Sequence, residues 1–414
     1  WPICATAGGS ELEVVAVEPP ARSLAASVNT PVVIHFDRPV LPASIDSGSV
    51  RVFGRWSGAV SGDYVVSGDG QTLTIEPDRS FSAGESVMVV LSHDLEGADG
   101  STLRGGGYSF QFWTRARAAT VSFNEIGRLS TRVLPSQPSQ AYGGIASDLD
   151  GDRWLDITIV NEITADLRVF MNRADGTGML FDFIQPTFPV GDRASPSEPS
   201  DFNGDGIVDI CVANIDADTV SILLGNGDGT FGPQQLIAVG DAPRGIAVLD
   251  VDGDGDTDVV NTNSGAGSGA LNMSLMINDG SGVFGAPIFF KAGVAGPWAL
   301  AAADMDEDGL LDLIVGARDA QLINVLGSRG DGTFQLLGSQ AAGGQVWMLV
   351  YGDVDGDGHE DVAGINSFDN NGAILIGDGS GQLDPPQTYP TDPFVLASDL
   401  ADLDGDGDLD WITS

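Results

Sequence analysis

The sequence has few basic residues, few cysteines and no long apolar run. Of 414 residues only 18 are Lys or Arg, against 59 Asp or Glu, and Lys291 is the single lysine. A nucleic acid or an anionic membrane surface binds to a basic face, so this balance excludes both as partners. No stretch of 18 or more apolar residues occurs, which excludes a membrane-spanning helix in this chain. The two cysteines, Cys4 and Cys211, are too few for a disulfide scaffold.

Sequence signatures of catalysis are also absent. The three histidines are His35, His93 and His359. None stands at a spacing typical of a Ser-His-Asp or Cys-His arrangement or of a zinc protease. Carboxylates are so frequent that spacing cannot single out a glycosidase pair. We therefore assign no catalytic residue, and the sequence leaves enzymatic activity open.

The composition favours β structure and concentrates acid in one part of the chain. Glycine, with 57 residues, and frequent Asp, Thr, Ser and Val favour short strands joined by turns, so we predict an all-β fold. The net charge is −41, but residues 1–117 hold 8 basic and 13 acidic residues, whereas the remainder holds 10 and 46. A halophilic protein would spread its acid over both parts. We interpret the excess as metal-binding loops in the second part.

Six acidic nine-residue segments recur between residues 148 and 410. Their side-chain oxygens at positions 1, 3, 5 and 9 suit a hard cation that takes six to eight oxygen ligands, and position 7 adds a backbone carbonyl. Gly at position 6 permits the sharp bend. Because closely spaced carboxylates repel each other, we predict five to six structural Ca²⁺ ions as cofactors. The segments are DLDGDRWLD (148–156), DFNGDGIVD (201–209), DVDGDGDTD (250–258), DMDEDGLLD (304–312), DVDGDGHED (353–361) and DLDGDGDLD (402–410).

The spacing of these segments predicts a propeller. Their first residues are 53, 49, 54, 49 and 49 residues apart, a period typical of propeller blades. In each unit a small-apolar strand precedes the loop, a buried strand follows it, and two further strands complete the unit. Four strands per unit predict a β-propeller with Ca²⁺-binding loops and six or seven blades when intact. The last copy stops inside its second strand, so we expect a fragment with five whole blades and a sixth cut short.

The nine-residue segment resembles the loop of the FG-GAP or VCBS repeat family, which includes the calcium-bearing blades of integrin α-subunits. Unlike an EF-hand loop, it closes with Asp at position 9 and is followed by a strand. The resemblance covers residues 143–414 and implies side-chain ligands at positions 1, 3, 5 and 9 and a backbone oxygen at position 7. The implied ligands are Asp148, Asp150, Asp152, Trp154, Asp156, Asp201, Asn203, Asp205, Ile207, Asp209, Asp250, Asp252, Asp254, Asp256, Asp258, Asp304, Asp306, Asp308, Leu310, Asp312, Asp353, Asp355, Asp357, His359, Asp361, Asp402, Asp404, Asp406, Asp408 and Asp410.

Three loops depart from the common pattern. The first has Arg153 in place of Gly at position 6. Because a Cβ hinders the turn and a cation stands nearby, we expect this site to be the weakest. The second has Asn203 at position 3, a neutral oxygen donor. The fourth has Glu307 in place of Gly at position 4, which we expect to be tolerated if its side chain points outward.

Residues 12–115 are predicted to form a separate Ig-like β-sandwich. About seven short β-branched or alternating runs are separated by turn signals roughly every ten residues. The order of the phrases VVAVEPPARS, NTPVVIHFDRPV, GDGQTLTIEP and FQFWT resembles the bacterial Ig-like domain family of S-layer and surface proteins. The resemblance implies a spacer or an assembly unit and brings no catalytic residue.

Two short segments flank this domain. Residues 116–142 are interpreted as a linker, with one strand expected around residues 119–123. Residues 1–11 form an N-terminal segment, and its Cys4-Ala-Thr-Ala-Gly sequence has the small-residue form of a signal-peptide cleavage site. In that interpretation Cys211 is a lone buried thiol. The alternative is a Cys4–Cys211 disulfide formed in an oxidising compartment.

These features favour an extracellular binding, adhesion or surface-assembly protein with a glycan or an extracellular protein as its partner. Calcium sites as weak as millimolar are filled outside cells, so we expect a secreted or cell-surface protein, with the periplasm as an alternative. The alternative function is a carbohydrate-active enzyme, a polysaccharide lyase or glycosidase, with a cleft at the propeller axis. That cleft would be lined by Arg244, Trp298, Trp347 or Tyr351. Trp298 and Trp347 occupy equivalent positions in their repeats, which favours packing over sugar stacking.

Overall fold

The computed structural model describes residues 11–118, 125, 127–177, 180–267 and 269–414. Within these residues the chain is all-β, and the only helical element is one 3-10 turn, Pro42–Ser44. No helix in this described part is long and apolar enough to cross a membrane. Cys4 and the strand expected around residues 119–123 lie outside the described residues.

The N-terminal part is a sandwich of two four-stranded antiparallel sheets, ordered β1-β2-β6-β5 and β4-β3-β7-β8. Alternate residues of β2 and β3 are buried, as in strands with one face on a core. Ile34, Leu73, Val89 and Phe110 from both sheets share one apolar core. The strands are β1 (Val14–Glu18), β2 (Val32–Phe36), β3 (Val50–Gly54), β4 (Gly58–Ala59), β5 (Gly62–Val66), β6 (Thr72–Pro77), β7 (Ser86–Leu91) and β8 (Tyr108–Trp113).

Six further sheets follow, each built from consecutive antiparallel strands. The first contains β9 (Ala141–Ser147), β10 (Asp156–Asn161), β11 (Asp166–Asn172), β12 (Phe181–Phe183) and β13 (Phe188–Pro189). The second sheet contains β14 (Ala194–Ser200), β15 (Asp209–Asn214), β16 (Thr219–Leu223) and β17 (Gln235–Ala238). The third sheet contains β18 (Pro243–Leu249), β19 (Asp258–Asn263), β20 (Met273–Met276) and β21 (Ile288–Phe290). The fourth sheet contains β22 (Pro297–Ala303), β23 (Asp312–Ala317), β24 (Leu322–Ser328) and β25 (Phe334–Ala341). The fifth sheet contains β26 (Met348–Gly352), β27 (Asp361–Asn366), β28 (Asn371–Leu375) and β29 (Gln387–Pro390). The sixth sheet contains β30 (Ser398–Ala401) and β31 (Asp410–Thr413).

The first strands of the six sheets lie side by side near a common axis. Each packs beside the first strand of the next sheet, from β9 to β30. Across the axis, the Trp347 indole Nε1 donates to the Tyr142 hydroxyl at 3.0 Å and so joins the fifth sheet to the first. The sheets are therefore arranged radially as propeller-like repeats. This confirms the prediction of an all-β chain with a sandwich followed by repeated four-stranded sheets.

The array of sheets has two ends of different chemistry. The loop face is the end formed by the six nine-residue loops, which join the first and second strands. The far face is the opposite end, formed by the starts of the first strands and by the turns between the second and third strands, such as residues 161–166. Antiparallel pairing in every sheet places equivalent turns at the same end.

Candidate metal centres

The last aspartate of each nine-residue loop is the first residue of the second strand. Five of these position-9 aspartates have exposed fractions of 0 to 1%: Asp156, Asp209, Asp258, Asp312 and Asp361. Burying a carboxylate is costly unless it is hydrogen-bonded or bound to a cation. Each position-9 side chain must therefore have defined partners.

Both oxygens of the position-9 carboxylate accept backbone hydrogen bonds. One oxygen accepts from the N–H of loop position 2 in all six loops, at 2.8 to 3.0 Å. In the first five sheets the other oxygen accepts from the N–H of a residue at the end of the third strand or two residues beyond it, at 2.7 to 2.8 Å. The position-9 aspartate thus ties the loop to two strands. Each oxygen keeps a second lone pair for a cation.

Positions 1 and 5 are oriented in the same regular way. One oxygen of the position-1 aspartate accepts from the N–H of position 6 in every loop, at 2.9 to 3.2 Å. The position-5 carboxylate accepts from the N–H of position 7, at 2.8 to 3.0 Å. These bonds fix the carboxylates around the inside of a tight turn.

Five of the six loops bring three carboxylates within reach of one cation, with ligand atoms no more than 4.8 Å apart. The second loop, in which Asn203 replaces an acid, is not among these clusters. At the predicted ligand positions of the loops, four carboxylate oxygens are buried without a hydrogen-bond partner: the Oδ1 atoms of Asp148, Asp252, Asp304 and Asp306. Buried, unpaired oxygen acceptors of a hard anionic type fit a calcium ion. The clusters are Asp148-Asp150-Asp156, Asp250-Asp252-Asp254, Asp304-Asp306-Asp308, Asp353-Asp355-Asp357 and Asp402-Asp404-Asp410.

The loop carboxylates hold their protons unusually tightly when no cation is bound. Burial raises the pKa of Asp250 to about 7, and the charges of Asp254 and Asp252 add to the rise. Burial raises the pKa of Asp312 to about 8, again with neighbouring carboxylates contributing. The pKa of Asp156 rises to about 7 for the same reason. In the absence of a cation, ionising these loops opposes folding.

This gives an expected pH dependence. Because the folded-state pKa values lie above the ordinary value near 4, metal-free stability should fall as pH rises from about 4 to about 8. Calcium competes with these protons, so the gain in melting temperature on adding calcium should be larger at pH 8 than at pH 5. Thermal melts of calcium-depleted protein, with and without added calcium, measure this gain. An equal gain at both pH values would contradict the assignment.

Arg153 adopts the left-handed backbone conformation that glycine occupies in the other loops. Its φ is 76°, and position 6 of the other loops has φ between 78° and 102°. For a residue with a Cβ, this backbone conformation is roughly 1–2 kcal/mol less favourable than a right-handed one. The structure thus gives the physical basis for expecting the first site to be weak.

Replacing Arg153 with glycine is expected to stabilise the protein. Relief of the strain should raise the free energy of unfolding by about 1 kcal/mol and tighten calcium binding at the first loop. Urea unfolding in calcium measures the change. Arg173→Gly is the matched control, because Arg173 is exposed and is not among the residues with positive φ, so it should show no gain. If Arg153→Gly changes the free energy of unfolding no more favourably than Arg173→Gly does, the strain argument is wrong.

Glu307, at position 4 of the fourth loop, reaches the adjacent loop and the sandwich domain. Its φ is 61°, in the region that glycine occupies at this position elsewhere. Its carboxylate lies 2.6 Å from His359 Nδ1 in the fifth loop and 3.4 Å from the Arg22 guanidinium. The side chain points out of its own loop and contributes to contacts between elements.

The sandwich domain packs against the loop face. Main-chain bonds run from His93 N–H to the Gly253 carbonyl at 2.7 Å and from Ser109 N–H to the Gly309 carbonyl at 2.8 Å. A Cβ on Gly253, whose φ is 79°, would lie 2.4 Å from the backbone of Gly106. The third and fourth loops are thus covered by backbone at close range.

Arginines of the sandwich domain pair with aspartates of the loops. Arg22 lies 3.6 Å from Asp304, and Arg79 lies 3.5 Å from Asp148. Arg51 forms a further ion pair with Asp256. Spacing along the chain could not reveal these pairs, because their partners are far apart in sequence. The available signal was the concentration of 8 of the 18 basic residues in residues 1–117.

The residues that could line an axial cleft lie at different ends of the array. Trp298 is only 8% exposed and is packed against Trp347, with ring centres 5.0 Å apart. Tyr351 contacts Trp113 of the sandwich domain, with ring centres 5.8 Å apart, so it lies toward the loop face. Tyr351 therefore does not line the same surface as Trp298.

Cys211 in β15 is fully buried and has no disulfide partner among the residues that the structure describes. Its Sγ lies 3.5 Å from the Glu198 carbonyl oxygen, and burial raises its pKa. Since Cys4 is outside the described residues, the alternative of a disulfide between the two stays a prediction.

Two family profiles match the sequence. The FG-GAP-like repeat matches residues 201–261, 250–315, 308–364 and 353–413. The bacterial Ig-like domain matches residues 9–114. No curated protein matches this chain.

Solved structures with similar architecture have low identity to the chain. An Agrocybe aegerita lectin that recognises non-reducing terminal N-acetylglucosamine is 18% identical, with 92% of this chain and 94% of that chain covered and a TM-score of 0.45. The V. cholerae biofilm matrix protein Bap1 is 16% identical, with 66% and 43% covered and a TM-score of 0.41. The N-terminal part of the bacterial S-layer protein SbsC is 16% identical, with 56% and 45% covered and a TM-score of 0.21. With TM-scores below 0.5, these similarities carry no argument about function.

Proposed function

Because this chain belongs to the FG-GAP-like repeat family and carries a bacterial Ig-like domain, we propose that it is an extracellular, calcium-stabilised protein for binding, adhesion or surface assembly. The observation that carries the proposal is the set of buried, unpartnered carboxylate oxygens in the loops. Calcium outside cells reaches the concentrations that such oxygen sites need. A secreted or cell-surface location follows from that requirement.

The proposed calcium ligands are the side chains at loop positions 1, 3, 5 and 9 and the backbone oxygen at position 7. Bound calcium would supply the positive charge that lets these carboxylates stay ionised while buried. The chain's own residues set the geometry. The position-9 aspartate anchors the loop to the second and third strands, and the N–H groups of positions 6 and 7 orient the carboxylates of positions 1 and 5.

The far face is the proposed site for a glycan or an extracellular protein. The Ig-like domain covers the loop face through Arg22, Arg51 and Arg79 and through main-chain contacts. Turns between the second and third strands are exposed at the other end, including Ile163, with an exposed fraction of 52%, and Phe368, with 49%. A rigid radial scaffold with exposed turns suits recognition.

Equilibrium binding on arrays of glycans and of extracellular proteins tests this function. We expect reproducible binding to one class in the presence of about 1 mM calcium, a concentration that fills weak extracellular sites. Binding should be lost after chelation, because the turns depend on the sheets that the loops support. Binding that is insensitive to chelation, or reproducible turnover of a polymer, would overturn the proposal.

A further inference from the structure

Arginines converge on one tryptophan at the far face. The guanidinium carbon of Arg244 lies 3.6 Å from the ring centre of Trp298, and that of Arg318 lies 4.3 Å from the same centre. Arg193 is close enough to Arg244 to affect its ionisation. We name Arg193, Arg244, Arg318, Trp298 and Trp347 the arginine–tryptophan cluster. Basic residues are scarce in this part of the chain, so their convergence is not a result of composition.

Arg244 is the arginine of the cluster that forms no ion pair among the described residues. Among the described residues it donates no hydrogen bond and forms no ion pair, and its buried Nε has no partner. Arg318 donates to Asp319 at 3.0 Å, and Arg193 lies 3.9 Å from Glu162. Burial lowers the pKa of Arg244 to about 10, and repulsion from Arg193 and Arg318 adds to the fall. Nearby Glu162 and Tyr142 oppose this fall, so this chain compensates the positive charge of the site only in part.

The position of Arg244 over the Trp298 ring suits a planar anion. A guanidinium stacked on an aromatic ring keeps its N–H edge free, and that edge matches the two oxygens of a carboxylate. Charge-assisted bidentate pairs of this kind are among the stronger hydrogen-bonded contacts in proteins. The missing partner of Arg244 is thus best supplied by a ligand carboxylate.

Exposed aromatic rings continue from the cluster. Trp347 lies 5.6 Å from Phe368 and 5.8 Å from Phe394, measured between ring centres. Phe368 and Phe394 contact each other at 5.3 Å and are 49% and 48% exposed. Half-exposed rings beside a stacked arginine offer apolar surface to a ligand that also carries a charge.

Carboxylates on the same face limit the kind of ligand. Asp216 and Asp319 have side chains that are 60% and 54% exposed, and Asp369 follows β27 in the turn next to Phe368. They accept hydrogen bonds from hydroxyl groups. A uronate sugar carries several hydroxyls beside each carboxylate and an Asp-rich peptide carries none, so this pattern favours the sugar.

We propose that the arginine–tryptophan cluster binds a uronate-type sugar of an acidic glycan. The carboxylate pairs with Arg244, and the apolar face of a neighbouring sugar ring contacts Phe368 and Phe394. This inference rests on the proposed recognition function and specifies its ligand class and its site.

Calorimetric titration of the calcium-loaded full chain tests the proposal with three probes: trigalacturonate, its neutral methyl ester and a short Asp-rich peptide. Trigalacturonate should bind, and the ester and the peptide should bind at least about tenfold more weakly. Arg244→Gln should weaken trigalacturonate binding about tenfold or more, and Phe394→Ala about three- to tenfold. Arg173→Gln, an exposed arginine outside the cluster, is the matched control and should change binding by less than about twofold.

Several results would overturn the proposal. If the methyl ester binds as tightly as the acid, the carboxylate is not recognised. If the peptide binds as tightly as trigalacturonate and Arg244→Gln weakens it equally, the partner is an acidic protein segment. If array ligands bind the native chain and Arg244→Gln alike, recognition stands but occurs at another site. If neither arrays nor trigalacturonate give binding, the proposed function falls with the inference. Unchanged thermal melts in calcium show that each variant is folded.

Discussion

Replacing Asp258 with alanine should lower the free energy of unfolding by about 3–5 kcal/mol. The Asp258 side chain is fully buried at position 9 of the third loop. Its carboxylate accepts from the N–H of Val251 at 3.0 Å and from the N–H of Asn278 at 2.8 Å. Without it, two buried donors lose their partner, at roughly 1–3 kcal/mol each, and the calcium site loses an anion.

Urea unfolding in calcium measures the effect of Asp258→Ala against a matched variant. Asp279→Ala removes an aspartate of an exposed turn, where the carboxylate accepts from Ser281 N–H at 3.0 Å. That change should cost less than about 1 kcal/mol. Asp258→Asn, which keeps an acceptor oxygen but loses the charge, should fall between the two. Equal losses for Asp258→Ala and Asp279→Ala would show that position 9 has no special structural role.

Removing calcium should lower the melting temperature by roughly 20 °C or more. At a calcium concentration 100-fold above the dissociation constant, each site stabilises the folded state by about 2.7 kcal/mol. Five clusters add their contributions, because each lies in a different sheet of one array. The measurement is a thermal melt after exhaustive chelation, compared with the same sample after calcium is restored.

The control for this melt is magnesium. Magnesium prefers a tighter octahedral site and dehydrates reluctantly, so it should restore little of the lost stability. Full recovery with calcium and slight recovery with magnesium would support oxygen sites of the calcium type. Equal recovery with both ions would indicate a general charge effect.

The repeats were predictable from the sequence because each repeat is specified by residues that are close together in the chain. The period near 50 residues defines one sheet, and the nine-residue acidic segment defines one loop, without reference to distant residues. Every loop observed joins the first and second strands of its sheet, as the nine-residue segments predict. The left-handed conformation at Arg153 could also be anticipated, because the equivalent residue in the other copies is glycine.

The contacts between distant segments were not predictable. The pairing of Arg51 with Asp256 joins residues 205 positions apart, and no periodicity reports such a pair. The alternative enzyme function places Trp298 and Tyr351 together at an axial cleft, yet Trp298 is the second residue of β22 and Tyr351 is the fourth residue of β26. Residues at opposite ends of equivalent strands lie at opposite ends of the array. Register within a strand decides which surface a side chain belongs to.

Calcium stoichiometry is the most direct test of the metal centres. Equilibrium dialysis of the full chain, followed by elemental analysis, should find about five to six calcium ions per chain. Five loops form acidic clusters, and the remaining loop, the second, retains oxygen donors. Asp250→Ala should lower that count by about one. A count near zero in chain that remains folded would contradict calcium as the element that stabilises the loops.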